Sequence, residues 1–169
     1  ADDITAKGAD ADDLLDIKSE GNYLGIGAGG DVVLENALIE SKHGVGIASL
    51  NDVSITSSQI NINHNGGFAI YAKDLIDLDG VSFGVDQSVS PTIYMESITI
   101  DLKDVAFPQG SIVDLVSRDG PNGIYPNFGE AERAIGGVNF ISNVSYGSDV
   151  IADTTAFDAV KDYINISKF

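Results

Sequence analysis

Four segments decide the fold: "DVVLENALIE" (31–40), "DVSITSSQIN" (52–61), "LIDLDGVSFG" (75–84) and "ITIDLKDVAF" (98–107). Laid over one another, they share four columns. Val32, Val53, Ile76 and Ile100 form the first, and Leu34, Ile55, Leu78 and Leu102 the second. Ala37, Ser58, Val81 and Val105 form the third, and Ile39, Ile60, Phe83 and Phe107 the fourth. Every column advances by 21, then 23, then 24 residues. A shared set of steps marks an internal repeat, which has to be recognised before any element is assigned.

Within each segment the column positions lie two, three and two residues apart. Period two is a strand with one buried face. The three-residue step is a bend that returns the next side chain to the same interior. Strand, bend, strand and turn, repeated, describe one coil of a parallel β-solenoid, with equivalent residues stacked about 4.8 Å apart. The other part of each coil repeats as well: Ile26, Ile47 and Ile70 lie six residues before the first column, and Ile93 continues them. The expected fold is all-β, a short right-handed parallel β-helix of about five rungs with a capping C-terminal segment. An antiparallel sandwich would place Asn-Gly or Asp-Gly turns at a regular spacing. Here 65–66, 79–80, 119–120 and 122–123 share no repeat position.

Ahead of the first column, "LGIGAGGDVVLE" (24–35) contains Gly25-x-Gly27-x-x-Gly30, the spacing of a dinucleotide-binding loop. Such a loop must open a helix so that the pyrophosphate meets free N–H groups. These glycines run into "DVVL", which is strand sequence. Gly30, Asn51 and Asp74 each sit two residues before the first column. They are read as corner residues in left-handed turn geometry.

The chain has 169 residues, 43% of them apolar, and a net charge of −17. That suffices for a core and makes nucleic acid and anionic membranes poor partners, because only Arg118, Arg133 and seven lysines supply positive charge. No stretch is long enough to insert in a bilayer. With no cysteine, disulfides and thiol chemistry are excluded. An acidic, cysteine-free chain opening with "ADD" suits a processed secreted or cell-surface protein.

Three regions follow: a cap or donor segment at 1–20, rungs at 21–116, and a loop, final strand and C-terminal cap at 117–169. Segment 117–137 breaks the period with Pro121, Pro126 and five glycines. "TTAFDAVKDYI" has Phe157, Val160 and Ile164 at helical spacing, with a threonine cap and an acidic first turn; the alternative is a terminal strand, "YINISKF". Val33 and Leu38 face outward from the first full rung, where later rungs carry mostly polar residues, so a covering partner is expected. Together with Leu15, Ile17, Ile164 and Phe169 they are the expected assembly residues.

"VAFPQGSIVDLVSRDGPNG" followed by "PNFGEAERAIGGVNFISNVSYG" resembles the C-terminal end of secreted, repeat-rich β-solenoid surface proteins of bacteria. The resemblance covers residues 105–147. It implies a secreted or surface-associated solenoid and brings no catalytic residues with it.

Chemistry-bearing residues are few. Asp77 and Asp101 share an outward column, near the carboxylate separation of retaining glycosidases. No basic and aromatic set accompanies them in register, and a solvated acidic face is the expected outcome. Asp74, Asp77 and Asp79 in "DLIDLDG" are weak candidates for a structural Ca²⁺, without the distant glutamate of an EF-hand loop. His43 and His64 fall on adjacent rungs, short of a four-ligand metal site. Tyr71 and Tyr94, 23 residues apart, suggest an aromatic step.

No catalytic constellation emerges. The expected function is structural: a non-enzymatic extracellular subunit that joins copies of itself head to tail through β-edges into a filament or surface layer. The alternatives are a carbohydrate-binding or adhesin module facing extracellular polysaccharide, and a polysaccharide-degrading β-helix enzyme.

Overall fold

A computed structural model describes residues 2–10, 12–21, 23–62, 66–85, 90–118, 124–129 and 136–168. Three parallel sheets form the sides of a coil, and the chain visits them in turn. Sheet 1 holds β1 (Ile4–Lys7), β4 (Val32–Glu35), β7 (Asp52–Thr56), β10 (Leu75–Asp79), β13 (Thr99–Lys103), β17 (Gly137–Ser142) and β16 (Asn127–Phe128). Sheet 2 holds β2 (Leu15–Ser19), β5 (Ala37–Ser41), β8 (Gln59–Ile62), β11 (Ser82–Val85), β14 (Ala106–Phe107), β18 (Ser145–Tyr146) and β19 (Asp149–Val150). Sheet 3 holds β3 (Leu24–Ala28), β6 (Gly44–Ser49), β9 (Gly67–Ala72), β12 (Thr92–Ser97), β15 (Ile112–Ser117) and β20 (Ile164–Lys168). The fold is the β-solenoid that the four columns require.

Val32, Val53, Ile76 and Ile100 are register partners in successive strands, and Leu34, Ile55, Leu78 and Leu102 are too. All eight are buried. Each such side chain contributes about 1.5–3 kcal/mol on leaving water. Phe83 and Phe107 stack across coils with centroids 5.5 Å apart, and Phe68 meets Phe83 edge-on at 5.0 Å. On sheet 3 the inner columns differ from the sequence expectation. Met95, not Ile93, continues Ile26, Ile47 and Ile70, while Ile93 continues Leu24, Val45 and Phe68. The connection before β12 is two residues longer than the one before β9, and an even increment keeps the same face inward.

Left-handed backbone occurs within the coil at the sheet 1 to sheet 2 bend: Asn36 (φ 51°), Ser57 (48°), Gly80 (68°), Asp104 (51°) and Asn143 (45°). The three-residue step demands it, since one residue must reverse the local direction there. Asn51 and Asp74, expected to be left-handed, are not. Gly30 also lies outside that region, and a Cβ there would crowd only the Asp3 carboxylate, an exposed side chain that can turn aside. The sheet 3 to sheet 1 corner is fastened instead by buried serines. Ser49 Oγ donates to Gly30 O (2.5 Å), and Ser117 Oγ donates to Ile98 O (2.8 Å).

Residues 4–19 supply β1 and β2, the first two sides of the first coil. At the other end the period breaks. β16 adds parallel to β17, and β19 folds back antiparallel on β18. A helix, α1 (Thr154–Val160), then crosses the end of the core and buries Phe157 and Val160. Its N-cap is Asp153 rather than a threonine, accepting from Ala156 N at 2.9 Å, and its first turn carries no acid. Within "YINISKF", Ile164–Lys168 also forms a strand: β20 follows the helix and pairs with β15.

Candidate functional site

The acidic pair does not form the solvated site its column suggests. Asp101 is fully buried, although it points out of sheet 1. Its Oδ1 accepts from Asn139 Nδ2 at 2.7 Å, and Asn139 Oδ1 accepts from Asn127 Nδ2 at 2.7 Å. The ladder from Asp101 through Asn139 to Asn127 runs up the outer face of β13, β17 and β16. It ties the non-repeating segment to the coil, with Asp101 out of a substrate's reach. Asp77 sits one strand below, half-buried, next to Ser54 and Asp101 in register.

Asp74, Asp77 and Asp79 do not converge either. Asp79 pairs with Lys103 Nζ at 2.9 Å, and Asp74 Oδ2 lies 3.4 Å from Lys73 Nζ. Among the described residues, no group of three or more His, Asp or Glu side chains is arranged to hold a metal ion. His43 lies beside Tyr23, ring centroids 6.5 Å apart; His64 and Phe169 lie outside the described residues. Asp52, at the lower corner, is held above the usual carboxylate range by burial and by the like charges of Asp31 and Asp74.

The expected assembly residues divide. Ile164 is buried inside β20 and belongs to the core. Val33 and Leu38 are half-buried on the outer faces of β4 and β5. The N-terminal segment does not fold over them; it extends their sheets, with Thr5 beside Val33 and Asp16 beside Leu38. Leu15 and Ile17 face the interior of the first coil. They belong to an end with no coil beneath it among the described residues: Leu15 is 37% exposed, and Ile4, Ile17, Leu24 and Ile26 are only partly covered. The edges of β1, β2 and β3 are the last in their sheets.

A second feature occupies the outside of sheet 3. Its outward columns are Gly25, Gly46, Ala69, Tyr94 and Asp114, and beside them Gly27, Ala48, Tyr71, Glu96 and Val116. The lower two strands, β3 and β6, therefore carry almost no side chain outward at these positions. Above them Tyr71 and Tyr94 stand diagonally, because Tyr94 registers with Ala69, and Tyr71 with Glu96. Tyr23, 75% exposed, closes the lower edge. Two adjoining shallow hollows of about 400 and 490 Å³ result.

Polar contacts fix the upper wall. Tyr94 Oη donates to Glu96 Oε2 at 2.6 Å, and this bond, with burial, pushes the phenol up to about 12. Arg118 lies over the Tyr71 ring, 4.6 Å from its centroid, and donates to Tyr71 Oη at 3.0 Å. It also donates to the carbonyls of Ala72 and Lys73, and its Nε is 3.6 Å from Glu96 Oε1. A guanidinium held by two carbonyls and a carboxylate keeps the ring in one place.

Gly25 and Gly27 thus belong to a strand that leads to another strand, and no helix opens at this loop. The hollow was missed in the sequence because, once the nucleotide motif was set aside, only Gly30 was given a role and Gly25 and Gly27 were left without one. The signal was present: Gly25, Gly46 and Ala69 advance by 21 and 23, the steps of the core columns.

No family model matches the chain, and no curated protein or solved structure is significantly similar to it. No helix among the described residues is long and apolar enough to cross a membrane.

Proposed function

We propose that the chain is a structural, non-enzymatic module of an extracellular solenoid assembly that docks through its first coil. The observation carrying this reading is the contrast in covering among the described residues: at the first coil three strand edges have no further strand beside them and the apolar interior is partly covered, while α1 lies at the opposite end. Edge strands with apolar side chains behind them bind a further strand readily, since the main-chain groups are already aligned. In a head-to-tail array, β3 of one copy would continue sheet 3 beyond β20 of the next. β20 is the last strand of its sheet, and α1 stands over the core beside it. Burial of Asp101 weighs against a glycosidase role for the acidic pair. Secretion is supported by the acidic, cysteine-free composition and by the resemblance in residues 105–147.

Light scattering coupled to size exclusion, across a hundredfold concentration range, tests this. Growth of the mass with concentration is expected, and Ile17→Lys, at the mouth of the first coil, abolishes it while leaving the melting transition in place. A wild-type chain that stays monomeric throughout defeats the reading.

A further inference from the structure

We propose that the hollow on sheet 3 is a binding site for a neutral polysaccharide, with sugar rings laid on the backbone floor between Tyr23, Tyr71 and Tyr94. This goes beyond the docking of the first coil and does not depend on it. The aromatic and polar groups carry the argument. Three tyrosines from three coils border the two adjoining hollows, Tyr23 lining one, Tyr71 the other and Tyr94 both, with Tyr23 and Tyr71 75% and 39% exposed. Their flat faces suit the C–H face of a pyranose, and their hydroxyls suit its polar edge. Tyr94 and Glu96 place a phenol and a carboxylate together at the rim, where sugar hydroxyls need partners. Arg118 holds the Tyr71 ring before any ligand arrives, which lowers the ordering cost of binding.

The floor supports the same reading. A Cβ at Gly25 or Gly46 would meet no atom within 4 Å. Nothing in the protein's own packing therefore asks for glycine at these strand positions, where glycine weakens the sheet. A bare strand backbone is what a close-lying ligand requires. The hollows, at about 400 and 490 Å³, fall within the range of ligand sites. The net charge of −17 selects against acidic glycans and leaves neutral ones.

The test uses the full chain on microcrystalline cellulose, chitin and laminarin, followed by calorimetry with oligosaccharides of whichever polymer retains it. Retention on at least one is expected. Tyr71→Ala and Gly46→Val should each weaken it about tenfold or more. Gly46→Val is the decisive variant: it fills the floor, a Cβ there meets no atom within 4 Å, and it should melt no lower than wild type because valine favours strands. Failure to bind all three polymers overturns the proposal, as does binding untouched by Gly46→Val. Self-association that Gly46→Val abolishes, with no glycan bound, assigns the face to a second copy and overturns it as well. Ile17→Lys should leave glycan binding intact, which separates this site from the docking end.

Discussion

The two ends of the coil solve one problem in opposite ways. Among the described residues, β1, β2 and β3 are the last strands of their sheets at the first coil, and Leu15, Ile17 and Ile26 are only partly covered. At the far end Phe128, Phe140, Phe157 and Tyr125 interlock edge to face, Tyr146 stacks on Tyr163 at 5.3 Å, and α1 covers the core. Closing an end needs large aromatics and irregular chain, because no repeated strand can cover the hole left by its own predecessor. The repeat extends a core cheaply but cannot finish one.

The largest test of that contrast compares one side chain from each end. Phe157→Ala should cost about 3–5 kcal/mol, the range for a buried aromatic. Ile17→Ala should cost about 1 kcal/mol, since much of its surface is already solvated. Urea denaturation of the two variants settles the matter, and equal losses would erase the distinction between the ends.

A smaller effect sharpens the same comparison on the outer face of sheet 1. Asp101→Ala removes the carboxylate that accepts from Asn139 Nδ2 in a buried setting and should cost about 1–3 kcal/mol. Asp77→Ala, one strand nearer the open end, should cost about 0.5 kcal/mol. Similar losses would mean that the ladder does not anchor the closing segment.

The smallest effect concerns the lower corner. Asp52 ionises at a cost in the folded chain, through burial and the charges of Asp31 and Asp74. Its folded pKa is raised, so folding takes up protons and stability falls as pH rises through that value. Asp52→Asn should therefore raise the melting temperature by about 1–2 °C at neutral pH. The gain should shrink as pH drops through the raised pKa and vanish once the carboxyl is protonated in both states. A gain that persists at low pH would show that charge is not the cause.

The repeated half of the fold was legible because period-two burial and a constant bend leave few alternatives. Val53 could stack only on Val32 and Ile76 if Ile55 was to stack on Leu34 and Leu78. Ile93 was put in the wrong inner column because an even change in a turn leaves every face as it was, and a pattern of faces cannot report it. Left-handed residues were sought at the corner before the first column, at Gly30, Asn51 and Asp74, where glycine, asparagine and aspartate coincide. Ser57, in the true bend, carries no such signature. Burial of Asp101 depends on Asn139 and Asn127, which are distant in sequence and outside the repeat. The tyrosine-bordered hollow needed the alternate, outward residues to be read with the same steps as the inward ones.

Counting between register partners shows where the repeat takes up slack. From sheet 1 to sheet 2 the interval is three residues in each complete repeat: Leu34 to Ala37, Ile55 to Ser58, Leu78 to Val81, Leu102 to Val105. From sheet 2 to sheet 3 it is six, eight, ten and six: Ile39 to Val45, Ile60 to Phe68, Phe83 to Ile93, Phe107 to Val113. The longest interval, 25 residues from Val113 to Val138, lies at the sheet 3 to sheet 1 vertex, but among the first three complete repeats length varies mostly, and in even steps, at the sheet 2 to sheet 3 vertex. That vertex is the natural port for grafting: an epitope or reporter peptide spliced between Ile62 and Gly67 should ride outside the prism, with the flanking walls undisturbed.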